Sequence, residues 1–152
     1  MFNFVKKAGK CLAIAALVMV SCTLRAQDLA STIKLTQGEQ FDVAKAAYEK
    51  LIAAEPTNGD NYFYYGENYI QSFFADTIAV ALAEVSIPAK AAFTKGTEVD
   101  PENPLCYVGL AKVALLNKDT AAFRYLQVAF SKLPSKINKT STVSTEKQAL
   151  TY

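Results

Sequence analysis

Three stretches of this chain read alike, and each runs to a proline. Ala44-Lys-Ala-Ala-Tyr48-Glu-Lys-Leu51 leads to Pro56, Ala89-Lys-Ala-Ala-Phe93-Thr-Lys-Gly96 to Pro101, and Ala122-Phe-Arg-Tyr-Leu126-Gln-Val-Ala129 to Pro134. In each, a small residue is followed four positions later by a large apolar one, then three later by another apolar or small one. That is one stripe of a helix with period 3.6, and the proline cannot continue it. Upstream of the second and third stretches lie two more apolar runs with helical spacing, Tyr62 to Tyr69 and Tyr107 to Ala114. Gly66 and Ala111 leave room in these runs for a neighbouring helix to approach closely. No such helix can bury its stripe alone, so pairing and stacking is the expected solution.

These residues resemble the tetratricopeptide repeat, a pair of helices in about 34 residues. Tyr62, Tyr65, Gly66, Tyr69, Ala89, Phe93 and Pro101 match its pattern in one unit. Tyr107, Leu110, Ala111, Ala122, Leu126, Ala129 and Pro134 match it in another. The first unit keeps Leu35, Ala44, Tyr48, Leu51 and Pro56, with a weak opening helix. The resemblance implies an all-α solenoid, a right-handed superhelix of helix hairpins, with units at about 27–58, 59–103 and 104–134. It also implies a concave groove lined by the first helix of each unit. Phe63, Tyr64, Glu67, Ile70 and Gln71 would face that groove from the second unit, and Leu105, Val108, Lys112, Leu115 and Leu116 from the third. An alternative is that the segment following Tyr69 covers Phe63 and Tyr64. The ligand implied is a protein or a peptide, with no catalysis and no cofactor. The Lys, Arg and Asn set with which some family members grip a peptide C-terminus is not reproduced.

The departures from the repeat make further expectations. Pro56 and Pro101 stand 45 residues apart, against 33 for Pro101 and Pro134. The extra length, about 11 residues between Tyr69 and Ala89, is the apolar segment Phe74 to Ser86. It should lengthen a helix or add a short one, with Ser86 as cap and Pro88 in the first turn of the next helix. Gly96 stands where the family prefers Ala, a weakening of about 1 kcal/mol for a helix interior. Beyond Pro134 the composition turns polar over 135–145, and 146–152 begins a further helix capped by Ser144 or Thr145. The whole reads as the N-terminal part of a longer repeat protein.

The first 26 residues read differently from the rest. Lys6, Lys7 and Lys10 precede ten apolar residues, Cys11 to Val20. Ten residues rise only about 15 Å as a helix, half of a bilayer core, so a secretory signal fits better than a membrane span. Leu24-Arg25-Ala26 offers a cleavage site before Gln27. Met19-Val20-Ser21-Cys22 alternatively resembles a bacterial lipobox, in which Cys22 would carry a lipid and hold the chain at a membrane. Either route implies an exported protein, periplasmic or associated with the outer membrane.

Composition removes several chemistries. The chain has no histidine, which excludes Ser-His-Asp and Cys-His catalysis and imidazole metal ligands. Its net charge of +2 comes from the first 26 residues, and the remainder carries 12 basic against 14 acidic residues. A nucleic-acid binder, which needs clustered cations to neutralise phosphates, is not expected of a body with more acids than bases. Glu98, Asp100 and Glu102 straddle a turn and read as solvated rather than as metal ligands. Cys106 lies in an apolar run and reads as a small buried hydrophobe. The expected function is a binding scaffold in the bacterial envelope. Its rivals are a lipid-anchored assembly or nutrient-capture component, and the docking arm of an enzyme whose catalytic domain lies beyond Tyr152.

Overall fold

The computed structural model describes residues 29–151, and among these every regular element is a helix. The signal segment, 1–26, and Cys22 lie outside the described residues. Helix α1 covers 29–37, followed by α2 Phe41–Ala54, α3 Gly59–Ala75, α4 Leu82–Val99, α5 Pro104–Leu116, α6 Ala121–Ser131 and α7 Thr145–Thr151. From α2 to α6 each helix packs against its chain neighbours, and α3 also touches α5. No helix among the described residues is long and apolar enough to cross a membrane.

The core sits where α3, α4 and α5 meet. Phe63 and Ile70 from α3, Ala89 and Phe93 from α4, and Leu105, Cys106, Leu110 and Val113 from α5 form one buried cluster. Phe93 is fully enclosed, and its ring lies against the backbone of two other helices. A Cβ placed on either Gly66 or Gly109 would collide with that ring. Gly96 has a similar function. A Cβ there would fall on Cys106 Sγ and lie 3.1 Å from Tyr62 Cβ. The helix-propensity penalty expected of Gly96 is therefore offset by a close approach that alanine would prevent.

The junctions between helices share a chemistry. After α2 and α4 the chain runs Pro56-Thr-Asn58 and Pro101-Glu-Asn103. Asn58 Oδ1 accepts from the Asp60 amide and Asn103 Oδ1 from the Leu105 amide, each at 3.1 Å, so each asparagine caps the following helix. Six residues past each proline a tyrosine hydroxyl donates back to the proline carbonyl, Tyr62 to Pro56 at 2.9 Å and Tyr107 to Pro101 at 3.4 Å. The α1 and α5 ends also match. Glu39 and Lys118 adopt left-handed φ values of 59° and 57°. The next amide, of Gln40 or Asp119, then bonds back to Leu35 O at 2.9 Å or Ala114 O at 2.8 Å. Both ends are Schellman closures built on residues other than glycine.

The cap expected at Ser86 is not there. Helix α4 starts at Leu82, behind Ala81, and Pro88 lies in its interior. Ser86 instead accepts a hydrogen bond of 3.1 Å from Asn117 Nδ2, tying α4 to the end of α5. The apolar segment Phe74 to Ser86 divides between the end of α3, a turn, and the first turns of α4. Asp76 Oδ1 accepts the amides of Ile78 and Ala79 in that turn. The reason is tertiary: Val85 buries beneath the neighbouring helices, which offsets the single backbone bond that Pro88 removes.

Two polar side chains are buried along the inner side of α3. Asn61 Nδ2 donates to Leu51 O at 3.3 Å. Asn68 donates to Phe41 O at 3.0 Å and accepts from Thr36 Oγ1 at 2.7 Å, and Thr36 in turn shares a 3.3 Å contact with the Tyr48 hydroxyl. This network ties α1 and α2 to α3. Buried amides of this kind are stable only when so paired.

Candidate functional site

An open groove of about 700 Å³ runs between α1 and α2 on one side and α3, α5 and α7 on the other. Tyr64, Glu67 and Gln71 line it from α3, and Val108 and Lys112 from α5. Ile33, Thr36 and Gln37 come from α1, and Glu146 and Leu150 from α7. Helical spacing brings the α3 residues to one face, since they sit three and four positions apart. A second recess of about 450 Å³ adjoins it and shares Ile33, Tyr64 and Glu146.

The groove's principal charge feature is an ion pair across its wall. Lys112 Nζ reaches both Glu67 carboxylate oxygens at 2.7 Å. The pair offsets itself, while Glu39 and Glu146 add two further carboxylates to the lining of the groove. Tyr64 packs edge-on to Phe63, with ring centroids 5.0 Å apart. Burial pushes the Tyr64 hydroxyl pKa above its ordinary value, and the nearby Glu146, Asp60 and Glu67 carboxylates add to the rise. Tyr64 therefore stays a neutral hydrogen-bonding aromatic at any physiological pH.

The ten residues expected along the groove divide into three sets. Tyr64, Glu67, Gln71, Val108 and Lys112 line it, and Phe63, only 7% exposed, closes its floor. Ile70 and Leu105 are enclosed in the core at 0% and 1% exposure, so neither presents a surface to a partner. Leu115 is 57% exposed, away from the groove, and Leu116 packs against the core cluster. The Phe63 ring packs against Phe93 of α4, at a ring-centroid distance of 6.0 Å. The α7 residues Glu146 and Leu150 had no sequence signal, because only the long-range return of the chain brings them to the groove.

The other candidate chemistry resolves into structural contacts. Glu98 pairs with Lys95 at 2.9 Å, Glu102 with Lys132 at 2.8 Å, and Asp100 Oδ2 accepts from Asn103 at 3.3 Å. Cys106 is fully buried with Sγ 3.4 Å from Gly59 O. Burial first, then the Asp60 and Asp100 charges, push its thiol up to about 12. It is inert as a nucleophile. Among the described residues no group of three His, Cys, Asp or Glu could hold a metal ion.

No protein-family model matches this chain, and no curated protein matches it at a significant level.

Proposed function

We propose that this chain is a non-catalytic scaffold of tetratricopeptide type that binds a protein or peptide in the bacterial envelope after export. The observation that carries this reading is the groove, where Tyr64, Gln71 and Val108 surround a neutralised Lys112–Glu67 pair. Such a surface offers apolar contact, aromatic stacking and amide hydrogen bonds to a helix or extended peptide. The helix pairing and the recurrent proline–asparagine junctions support a repeat architecture, and the basic-then-apolar opening sequence supports export.

The test is site-specific photo-cross-linking in the native host, with the reactive group at Gln71 in the groove or at Lys90 on an exposed face. A discrete adduct from Gln71, absent from Lys90 and lost in Tyr64→Ala with helical content unchanged, is the expected result. Equal adducts from both positions would defeat the reading. Phe63→Ala and Leu105→Ala are unsuitable probes, because both open cavities in the core. The resemblance of Met19-Val20-Ser21-Cys22 to a lipobox is the ground for the alternative, a membrane-held form of the same scaffold. Cys22→Ala should move the chain from the membrane to the soluble fraction if a lipid holds it.

A further inference from the structure

The turns that follow α3 and α5 carry the same three-residue chemistry. Asp76-Thr77-Ile78 stands after α3 and Asp119-Thr120-Ala121 after α5. These are the two places where one of the chain's six aspartates precedes a hydroxyl residue. Each aspartate lies ten residues beyond the glycine that meets the Phe93 ring, Gly66 in α3 and Gly109 in α5. The two helices run side by side in one direction. Asn103 Nδ2 donates to Asp60 Oδ1 at 2.6 Å near their starts, and Lys112 pairs with Glu67 further along. Both tripeptides therefore sit at the same end of the helix layer, at corresponding places in successive helix pairs.

The fold employs the aspartates and not the threonines. Asp76 Oδ1 accepts the amides of Ile78 and Ala79 at 3.0 and 2.9 Å, and Asp119 Oδ1 accepts the Ala121 amide at 2.9 Å. Each carboxylate thus closes a turn around its own threonine. Thr77 and Thr120 are exposed, and among the described residues neither hydroxyl has a hydrogen-bond partner. Thr120 occupies the N-cap position of α6 without making the capping bond. Ile78 is 98% exposed, so packing gives no reason for an aliphatic side chain there. What recurs is a fixed turn that holds a bare hydroxyl out to solvent. Asp-Thr before an aliphatic residue resembles an O-glycosylation pattern of some exported bacterial proteins.

We propose that Thr77 and Thr120 are O-glycosylated by an envelope glycosyltransferase that reads the exposed Asp-Thr-aliphatic turns after α3 and α5. The donor is a sugar carrying a phosphate leaving group. Threonine Oγ1 bonds to the anomeric carbon as the bond from that carbon to the phosphate oxygen breaks, and the hydroxyl proton passes to a base of the transferase. The sugars stand at one edge of the helix layer and cover Ile78 with hydrated bulk. The inference is independent of what the groove binds and needs only that the chain is exported.

Intact-mass spectrometry of the full chain purified from its native host tests this, with fragmentation that keeps sugars attached. The chain should carry two saccharide increments, one on Thr77 and one on Thr120. Thr77→Ala and Thr120→Ala should each remove one, and the double variant both. Asp76→Ala should strip the sugar from Thr77 while Thr120 keeps its own, which shows in the same molecule that the chain still reaches the transferase. Thr57, exposed but preceded by a proline, should stay bare. A chain whose opening segment has been cleaved and which carries no sugar overturns the inference alone. A chain that keeps that segment and carries no sugar overturns it together with export. Phosphate in place of sugar, or sugar on Thr57 to the same extent, also overturns it.

Discussion

The ring of Phe93 lies so close to the backbone of Gly109 that no side chain fits between them. Gly66 meets the same ring from α3, so a single phenylalanine of α4 fixes the spacing of α3 and α5. Gly109→Ala should push the helices apart and destabilise the fold by about 1–3 kcal/mol, the usual range for overpacking a filled core. A lowered urea midpoint at unchanged slope would show it. A midpoint equal to the wild type would mean that the three helices slide freely past one another.

Asn103 unites two functions, capping α5 and donating to Asp60. It is buried, and its removal leaves the Leu105 amide without its cap and Asp60 with one donor fewer. Asn103→Ala should cost about 1–3 kcal/mol, combining a lost cap with lost buried bonds. Asn58→Ala removes a matching cap in a half-buried place and should cost less. Chemical denaturation of the two variants side by side checks the order.

Lys118 adopts a φ of 57°, a conformation that a residue with a Cβ occupies at some expense. Lys118→Gly should raise stability by about 1 kcal/mol, because glycine enters the left-handed region freely. The unfolded chain gains entropy on the same change, so the net gain is bounded. Thermal unfolding reads the result as a higher midpoint. A lower one would show that the α5–α6 closure is unstrained.

Two buried groups make the fold sensitive to alkali. Cys106 is raised to about 12 from 9.0, and Tyr48 to about 12 from 10.0, each chiefly by burial. In both, the folded state holds its proton more tightly than the unfolded chain. Their stabilising effect is complete below the unfolded values and disappears as pH rises through the folded ones. Stability should therefore decline from about pH 9, at first by about 1.4 kcal/mol per pH unit through Cys106 alone. Tyrosines join the decline above about pH 10. Cys106→Ala should delay its onset by about one pH unit, measured as the urea midpoint from pH 8 to 11.

Much of the helical architecture is legible in the sequence. The small-then-aromatic spacing at Ala44 and Tyr48 and at Ala89 and Phe93 is a local periodicity, and both pairs are buried as it requires. Gly66 was legible as a point of close approach for the same reason. The Pro56-Thr-Asn58 and Pro101-Glu-Asn103 recurrence was present too, but its meaning emerges only when the asparagine oxygens are seen on the next helix's amides. Ser86-Ile-Pro88 misled, because a polar residue before a proline looks like a helix start wherever it stands. Burial of Val85, the residue just before it, outweighed that signal.

Sequence by itself determined that this chain makes helices, where prolines end them, and which faces must be covered, because those depend on contacts within a few residues. It also ruled out histidine chemistry outright. Only the tertiary structure decided that Phe63, Ile70 and Leu105 are enclosed while Tyr64 and Gln71 stay open, since all five share a similar apolar or helical setting. The placing of α7 was equally beyond local reading. Lys147 and Asp60 are 87 positions apart in the chain, and the ion pair between them depends on the path of everything between.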